Sequence, residues 1–445
     1  MLAVPTELRT HALRVRHRLI VPGTASRVLA DAGRLPQLVT DDRHTAEVDY
    51  INAGVAQRYG LRTIVLRSLE HGEPIDGVVD RVHELELFGA VPPSNVLRWQ
   101  PAETLIDPAD RAATGFWSAG RDAPVADGRE WTQRGWFAEA CAWIEKSLRG
   151  AGFAAPFEIV QLRTWATSSV LLAHNQRGDS YFKALPTSGG VEAAIVRFLS
   201  QHFADVVPRI IAADADRGWL LMAACRGRKL EDIADVAVWE RAAARYARLQ
   251  VDCIGRVDAL RALGCPSRDL AQLARSIEAL AADATVRPHP NGLTQAEYDR
   301  FIGAVPELVR RCDELAACGI PYSLEHGDLW PGNIFCDTTS CAVIDWEDVV
   351  VSHPFFSLAP LTVGLMNAGL ATPESVARVE HAYINAYESL AQPDRLRRAI
   401  ELAIPLCFFD MAARYRRQPP SIVRLHPWMR DLVPQTIRLA LSRLA

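Results

Sequence analysis

Two short polar motifs, one on each side of a predicted hairpin, constrain this chain more than any other part of its sequence. The first is His326-Gly-Asp-Leu-Trp-Pro-Gly-Asn333, and the second is Ile344-Asp-Trp346. The segment between them, residues 334–343, begins and ends with apolar residues in runs of strand length, which predicts a hairpin. Such a hairpin would return Asp345 to the loop that carries Asp328.

The spacing of the polar side chains in these motifs fits phosphoryl transfer. Transfer of a terminal phosphoryl group to a hydroxyl needs a carboxylate near the hydroxyl proton, and we assign this catalytic role to Asp328. It also needs oxygen ligands for Mg²⁺, which prefers hard oxygen donors and few protein ligands. The amide of Asn333 and the carboxylate of Asp345 are expected to supply these metal ligands. A capped turn followed by a strand-end aspartate is the purely structural alternative.

The pattern His-Gly-Asp-x-x-x-x-Asn followed by Ile-Asp-Trp resembles the aminoglycoside phosphotransferase family, a branch of the protein-kinase-like fold that includes choline and homoserine kinases. The resemblance covers about residues 131–445 and is densest from 323 to 348. It implies ATP and Mg²⁺ as cofactors, Asp328 as the catalytic aspartate, and Asn333 and Asp345 as the magnesium ligands. It also implies a bilobal α+β fold, with a small β-rich lobe at about 150–225 and a large helical lobe at about 226–445.

The small lobe contains further residues that match this family. Lys183 stands at the end of a predicted strand, like the family's nucleotide lysine, and Glu192 begins a predicted helix. An ion pair between them would hold the ammonium over the α- and β-phosphates. A surface lysine and a helix-N-terminal acid favoured by the macrodipole are the structural alternatives. The resemblance also assigns main-chain adenine contacts to four consecutive residues, Met222, Ala223, Ala224 and Cys225.

Two segments depart from the pattern of the family. The loop expected to cover the phosphates, residues 165–169, has no glycine, so its hydroxyls and amides would have to take that role. Ser357 stands where the family usually has an aspartate that braces the catalytic loop, so this loop is expected to be less firmly held. His326 is expected to brace the loop rather than act as a base, because Asp328 already fills that role.

Residues 1–125 are predicted to form a separate accessory α/β domain. Apolar residues from Val48 to Tyr59 recur at helical spacing, Gly60 follows as a helix cap, and a strand pattern comes next. This helix-to-strand segment resembles half of a Nudix domain, but its helix has none of the glutamates that bind metal in that family. A degenerate, non-hydrolytic Nudix-like module and a generic α/β interaction module both stay open. Residues 106–128 have no clear periodicity and predict a linker.

Composition narrows the class of protein. The 445 residues are 49% hydrophobic and 23% charged, with a net charge of −4, which is typical of a globular chain of about two or three domains. This balance gives no general basis for nucleic-acid binding, and the apolar runs are too short to span a membrane. The arginine-rich stretches at 395–398 and 414–417 are interpreted first as solvated helix faces and second as anion sites. The nine cysteines have no paired spacing and are interpreted as small buried apolar residues in a reducing cytoplasm.

Together these patterns predict a cytoplasmic kinase that phosphorylates a hydroxyl of a small molecule, such as an aminoglycoside-like compound, an amino alcohol or a sugar. A protein kinase is one alternative, but Gly327 stands where regulated kinases have an arginine, and the chain has no Ala-Pro-Glu segment. A non-catalytic nucleotide-binding regulator, with its function in the N-terminal module, is the other alternative. The sequence does not determine the acceptor or the oligomeric state.

Overall fold

A computed structural model describes the chain over six stretches, residues 13–24, 26–91, 97–120, 128–186, 191–290 and 292–444. Strands and helices are mixed along these stretches, which confirms the predicted α+β class. No helix within them is both long enough and apolar enough to cross a membrane.

The N-terminal part is a four-stranded mixed sheet with a helix packed on it. Its elements are β1 (Arg14–Ile20), β2 (Arg27–Asp31), β3 (Gln37–Asp41), α1 (Asp49–Tyr59), β4 (Arg62–His71), β5 (Val78–Phe88), β6 (Leu97–Pro101) and α2 (Pro108–Gly120). The sheet has the order β3-β1-β5-β4, in which β1 and β5 are parallel, and β2 pairs separately with β6. Ile51 and Val55 of α1 pack in one apolar cluster with Val65 and Leu85 of the sheet. The helix ends at Gly60, whose φ of 66° is left-handed, as its sequence predicts.

The prediction that residues 106–128 form a linker is wrong over the length of α2. Asp110 is fully buried, where it pairs with the guanidinium of Arg18 and accepts the N–H of Leu35 at 3.0 Å. Trp117 is also buried, in a second apolar cluster. A buried ion pair, together with Ala113 and Trp117 in that cluster, therefore holds the helix, and the polar Asp110 on its buried face interrupts the apolar pattern that would reveal it. The rest of that segment, residues 121–127, lies outside the described residues.

The small lobe is a five-stranded antiparallel sheet between two helices. Its elements are α3 (Trp136–Gly150), β7 (Glu158–Thr164), β8 (Ser169–Asn175), β9 (Gly178–Ala184), α4 (Val191–His202), β10 (Ile210–Asp214) and β11 (Trp219–Ala223). The strand order is β10-β11-β9-β8-β7. Trp143 of α3 contacts the rings of Phe182 and Trp219 at centroid distances of 5.7 and 5.5 Å, so α3 covers one face. Because side chains alternate along a strand, Lys183 of β9 points to the other face, where α4 lies.

The large lobe is mostly helical, as predicted. Its elements are β12 (Arg228–Lys229), α5 (Val236–Ile254), α6 (Val257–Ala262), α7 (Leu270–Ala282), α8 (Gln295–Ala317), β13 (Ser323–Glu325), β14 (Ile334–Cys336), β15 (Cys341–Val343), β16 (Val350–Ser352), α9 (Leu358–Asn367), α10 (Pro373–Ile384), α11 (Pro393–Arg416), α12 (Pro420–Leu425) and α13 (Leu432–Ser442). Strands β14 and β15 form the predicted hairpin, with Ile334 opposite Val343, and β13 pairs with β16. These two ladders hold residues 326–333 and 344–349 side by side.

The N-terminal part contacts both lobes through buried polar groups. The side chain of Gln161 in β7 bonds to the N–H and the carbonyl of Val65 in β4, at 2.9 and 2.8 Å. The hydroxyl of Thr45 lies 2.5 Å from Nδ1 of His426, just after α12. These contacts attach the N-terminal part firmly to the lobes, while the division into domains at residues 1–125 and 131–445 stays a prediction.

Two of the nine cysteines form a bond that the sequence does not predict. Cys336 and Cys341 face each other across the hairpin and are joined by a disulfide. The interpretation of all nine as free is wrong for this pair, because strand register rather than sequence spacing brings the two together. Cys253 and Cys312 follow the expectation, since they are buried and their burial raises each thiol pKa to about 12.

We expect His353 to make the folded chain less stable in mild acid. Its side chain is 1% exposed, and its Nδ1 accepts the N–H of Phe355 at 3.3 Å. Burial lowers the pKa of His353 from 6.5 to about 3. Below about pH 6.5 the unfolded chain binds a proton here that the folded chain does not bind, so stability falls as the pH falls. His353→Asn keeps an acceptor at this cap position and removes the titration.

Urea unfolding at several pH values compares the two proteins. Between about pH 6.5 and pH 5, the free energy of unfolding of the wild type should fall by about 2 kcal/mol more than that of His353→Asn. Parallel declines of the two curves would contradict this account of His353.

Candidate active site

The loop that follows β13 is shaped by one glycine. Gly327 has a φ of 82°, in the left-handed region that glycine favours. A Cβ at this position would lie 2.2 Å from the main-chain oxygen of Asp348. The loop therefore passes directly against the segment after β15, and Asp328 follows immediately at the turn.

His326 connects the two motifs of the site. It is fully buried, its Nδ1 accepts the N–H of Asp328 at 3.2 Å, and its Nε2 donates to the carbonyl oxygen of Ile344 at 2.9 Å. This pair of bonds requires a neutral ring with its proton on Nε2. Burial also lowers the pKa of His326, which keeps the ring neutral. The geometry agrees with the expectation that His326 braces the loop.

Asn333 lies between the same two segments. Its Nδ2 donates to the carbonyl oxygen of Asp328 at 2.9 Å and lies 3.3 Å from Oδ2 of that residue. Its own carbonyl oxygen accepts the N–H of Ile344 at 2.9 Å. Because the amide nitrogen faces Asp328, the amide oxygen Oδ1 is the atom that suits a cation.

Asp345 follows the hairpin in an unusual backbone conformation. Its φ of 67° is in the left-handed region, which costs a non-glycine residue about 1–3 kcal/mol and is common at functional sites. Its Oδ1 lies 2.5 Å from the ammonium of Lys183. Burial opposes the charge of this carboxylate, but the ammonium prevails and holds the pKa of Asp345 below its usual value.

Lys183 sits among three carboxylates. Its ammonium lies 2.8 Å from Glu192, as the sequence predicts, and 3.3 Å from Glu347. Burial favours a neutral amine, but the three carboxylates outweigh it and raise the pKa of Lys183 well above its usual value. The carboxylate oxygens of Glu192, Asp345 and Glu347 all lie within 4.8 Å of one another. The site therefore concentrates hard oxygen donors around one cation.

Sequence reasoning did not identify Glu347 as a site residue. It lies on the 3-10 turn of residues 346–348, which turns its side chain back toward Lys183. Burial and repulsion from the neighbouring carboxylates raise its pKa to about 8. Its position two residues after Asp345 was the available signal, although sequence alone does not indicate that a tight turn follows.

The loop predicted to cover the phosphates reaches this cluster. Residues 165–168 form a tight turn, in which the N–H of Trp165 donates to the carbonyl oxygen of Ser168 at 3.0 Å. The hydroxyl of Thr167 at its tip donates to Glu347 at 3.4 Å. A turn with hydroxyl side chains therefore occupies the position at which the family pattern leads us to expect a glycine-rich loop.

The segment predicted to bind adenine begins at the end of β11. The N–H of Ala223 donates to the carbonyl oxygen of Arg209 at 2.9 Å, and the N–H of Ala224 donates to that of Asp179 at 3.1 Å. These two amides are therefore already bonded to main-chain oxygens. The other main-chain groups of residues 222–225 would therefore have to make the predicted hydrogen bonds to adenine.

Arg414 is a second residue that the sequence analysis missed. The solvated-face interpretation of residues 414–417 is wrong for this side chain, which is 17% exposed. Its Nη2 donates to the carbonyl oxygen of Gly327 at 2.6 Å, and its Nη1 lies 3.5 Å from Asp348. Arg414 thus holds the loop of residues 326–333 from the side of α11, because the fold returns this helix to the loop.

A buried hydrogen-bond chain supports the loop in place of the missing aspartate. Ser357 lies 3.0 Å from a carboxylate oxygen of Glu325 and 3.2 Å from the hydroxyl of Tyr246, and that hydroxyl accepts the N–H of His326 at 3.0 Å. The expectation of a loosely held loop is therefore wrong, because a serine and a tyrosine bridge the gap that an aspartate would span.

Comparison with known proteins gives one family match. The model for the phosphotransferase enzyme family matches residues 163–399, a little over half of the chain and most of both lobes. No curated protein matches the chain in sequence.

Several solved structures are similar at low sequence identity. A choline kinase from Cryptosporidium parvum is 14% identical, with 69% of this chain and 95% of that one covered, at a TM-score of 0.49. An ethanolamine kinase from Plasmodium vivax is 12% identical, with coverage of 68% and 89% and a TM-score of 0.46. An aminoglycoside phosphotransferase from Streptomyces rimosus is 20% identical, with coverage of 60% and 98% and a TM-score of 0.39.

Gly327→Ala should destabilise the chain more than the same change at another left-handed glycine. Gly319 has a φ of 66°, and a Cβ there would meet nothing within 4 Å. Gly319→Ala should therefore lose about 1 kcal/mol from backbone strain alone. Gly327→Ala should lose at least about 2 kcal/mol more, because its Cβ overlaps main-chain atoms that cannot move freely. Urea unfolding measures both, and equal losses would mean that the contact with Asp348 is not tight.

Proposed function

Because this chain belongs to the phosphotransferase enzyme family, we propose that it transfers the terminal phosphoryl group of ATP to a hydroxyl of a small molecule, with Mg²⁺ as the metal. The observation that carries the proposal is the hydrogen-bonded unit of Asp328, His326 and Asn333, which joins the catalytic loop to the segment of Asp345. The ammonium of Lys183 contacts that segment at 2.5 Å. Carboxylate, amide and ammonium thus converge from both lobes.

Asp328 is proposed to orient the acceptor hydroxyl and to take its proton. The hydroxyl oxygen forms a bond to the terminal phosphorus while the bond from that phosphorus to the β-phosphate oxygen breaks, which releases ADP. The proton of the hydroxyl passes to the carboxylate late in the reaction. The bonds that His326 and Asn333 make to the main chain of Asp328 hold its backbone in place for this step.

Lys183 is proposed to hold the α- and β-phosphates, with Glu192 keeping its ammonium in position. Its side chain is 8% exposed, so it already occupies one defined place. A phosphate group is the natural competitor for the carboxylates that now surround it. Main-chain groups of residues 222–225 are proposed to bind adenine at the end of β11.

The residues of the site fit a magnesium ion. Asn333 offers its amide oxygen, because the nitrogen is used by Asp328, and Asp345 offers a carboxylate held in place by its backbone. Both are hard oxygen donors of the kind that Mg²⁺ prefers. Magnesium bound there would neutralise charge on the phosphate oxygens. Glu192 and Glu347 lie beside this position and offer further carboxyl oxygens.

Asp328→Asn should lower single-turnover phosphoryl transfer by about 10²–10⁴-fold and leave nucleotide affinity almost unchanged. The substitution keeps the shape of the side chain and removes only its proton-accepting charge. Rapid-quench transfer to an acceptor found by screening hydroxylated compounds measures the rate, and titration with ATP measures the affinity.

The matched control for this experiment is Asp394→Asn, since Asp394 is 89% exposed at the start of α11. It should transfer at the wild-type rate. A rate for Asp328→Asn within about tenfold of that control would be too small a loss for a catalytic base. Such a result would favour a non-catalytic nucleotide-binding regulator.

Asp345→Asn should abolish the stabilisation that Mg²⁺ adds to bound ATP. Asparagine tolerates the left-handed backbone of this position, so the fold should persist while one charged metal ligand is lost. Thermal melting with ATP alone and with ATP plus Mg²⁺ gives the difference for the wild type and the variant. A Mg²⁺-dependent shift equal to that of the wild type would show that Asp345 does not bind the metal.

A further inference from the structure

A large cavity opens beside the catalytic loop in the large lobe, with a volume of about 1120 Å³. Its wall includes Asp348, whose main chain lies against Gly327, the residue before Asp328. Glu347 lines it as well and contacts Lys183 at 3.3 Å. Asp328 and Lys183 do not line the cavity, but Asp348 links it to the loop of the proposed base and Glu347 links it to the proposed phosphate site.

The wall of this cavity has more positively charged than negatively charged residues. Five arginines and four carboxylates line it. Three of the carboxylates pair with arginines of the same wall, and Glu347 pairs with Lys183, so the carboxylates neutralise only three of the five arginines. The four pairs are Asp283–Arg416 at 2.6 Å, Asp348–Arg414 at 3.5 Å, Asp410–Arg268 at 2.9 Å and Glu347–Lys183 at 3.3 Å.

Two arginines of the wall have no carboxylate within ion-pair distance among the residues that the structure describes. They are Arg275 on α7 and Arg417 just after α11. Arg417 donates to the hydroxyl of Ser276 at 3.2 Å, so it lies against the same helix that carries Arg275. The two guanidinium groups thus belong to one wall, and their charge is available to a ligand.

The lining also lacks what a cationic ligand would need. No phenylalanine, tyrosine or tryptophan lies among the described residues of this wall, so an ammonium group would find no aromatic face. An anionic group would find two guanidinium groups, which bind carboxylates and phosphates through paired hydrogen bonds.

We propose that the acceptor carries, besides its hydroxyl, an anionic group such as a carboxylate or a phosphate, and that Arg275 and Arg417 bind it. This proposal rests on the proposed function, because it names the class of acceptor for the same site. Arg275 and Arg417 act in substrate specificity, whereas the transfer itself depends on Asp328.

Acceptors that share a carbon skeleton and differ in charge provide the test. One series is gluconate, glucose and glucosamine, and a second is glycerate, glycerol and 3-aminopropane-1,2-diol. With Mg²⁺ and ATP at about pH 7, kcat/KM should be at least about tenfold higher for the anion of a series than for its neutral and cationic members. A preference for the neutral or the cationic member would overturn the proposal.

The double variant Arg275→Gln, Arg417→Gln should raise KM for the anion by about tenfold and leave kcat and the use of the neutral member unchanged. Arg149→Gln is the control, since Arg149 lies on α3 in the other lobe and pairs with Glu145 at 2.7 Å. Equal KM values for the double variant and the control would contradict the assignment of these two arginines.

Binding separates this proposal from the proposed function. Calorimetric titration of gluconate and glucosamine into the full chain, loaded with Mg²⁺ and a non-hydrolysable ATP analogue, needs no turnover. Tighter binding of gluconate than of glucosamine, lost in the double variant, would support the anion site. If no acceptor were phosphorylated, that failure would overturn the proposed function but not the anion site. Equal binding of the two compounds, or their equal failure to bind, would overturn the anion site.

Discussion

The buried ammonium of Lys183 is the interaction on which the arrangement of the site depends. A buried charge is stable only when opposite charges replace the water that it has lost. Its partners come from both lobes, since Glu192 begins α4 and Asp345 and Glu347 follow the hairpin of β14 and β15. This one cation therefore links the small lobe to the large lobe at the site, in addition to the apolar contacts of α4 with the large lobe. With nucleotide bound, the proposed roles divide this cluster, since Glu192 would keep the ammonium in position while Asp345 would bind the metal.

The loop of residues 326–333, which carries the proposed base, is held by buried neutral groups as well as by charges. The neutral ring of His326 accepts the N–H of Asp328 and donates to the carbonyl oxygen of Ile344. The hydroxyl of Tyr246 accepts the N–H of His326. Arg414 of α11 donates a hydrogen bond to the carbonyl oxygen of Gly327. These bonds converge from β13, α5, α11 and the segment after β15. Several buried hydrogen bonds thus hold the loop, although Ser357 stands where an aspartate is expected.

Local chemistry explains which features could be predicted. The hairpin, the end of α1 at Gly60 and the pair of Lys183 and Glu192 all follow from short spacings, apolar patterns and one recognisable motif. Helix α2 escaped prediction because Asp110, a polar residue, is its buried anchor. The disulfide of Cys336 and Cys341 escaped because it depends on strand register.

By itself, the sequence determined the order of the two lobes, the hairpin that joins the motifs, and the identity of Asp328, Asn333 and Asp345 as candidate site residues. These follow from residues close together in the chain, whose geometry is set by local backbone preferences. Only the tertiary structure decided that Arg414 would support the loop of residues 326–333 and that Glu347 would contact Lys183. It also decided which arginines of the cavity keep an unpaired charge. Pairing between charges distant in sequence depends on which helices the folded core brings together, and no local pattern encodes that.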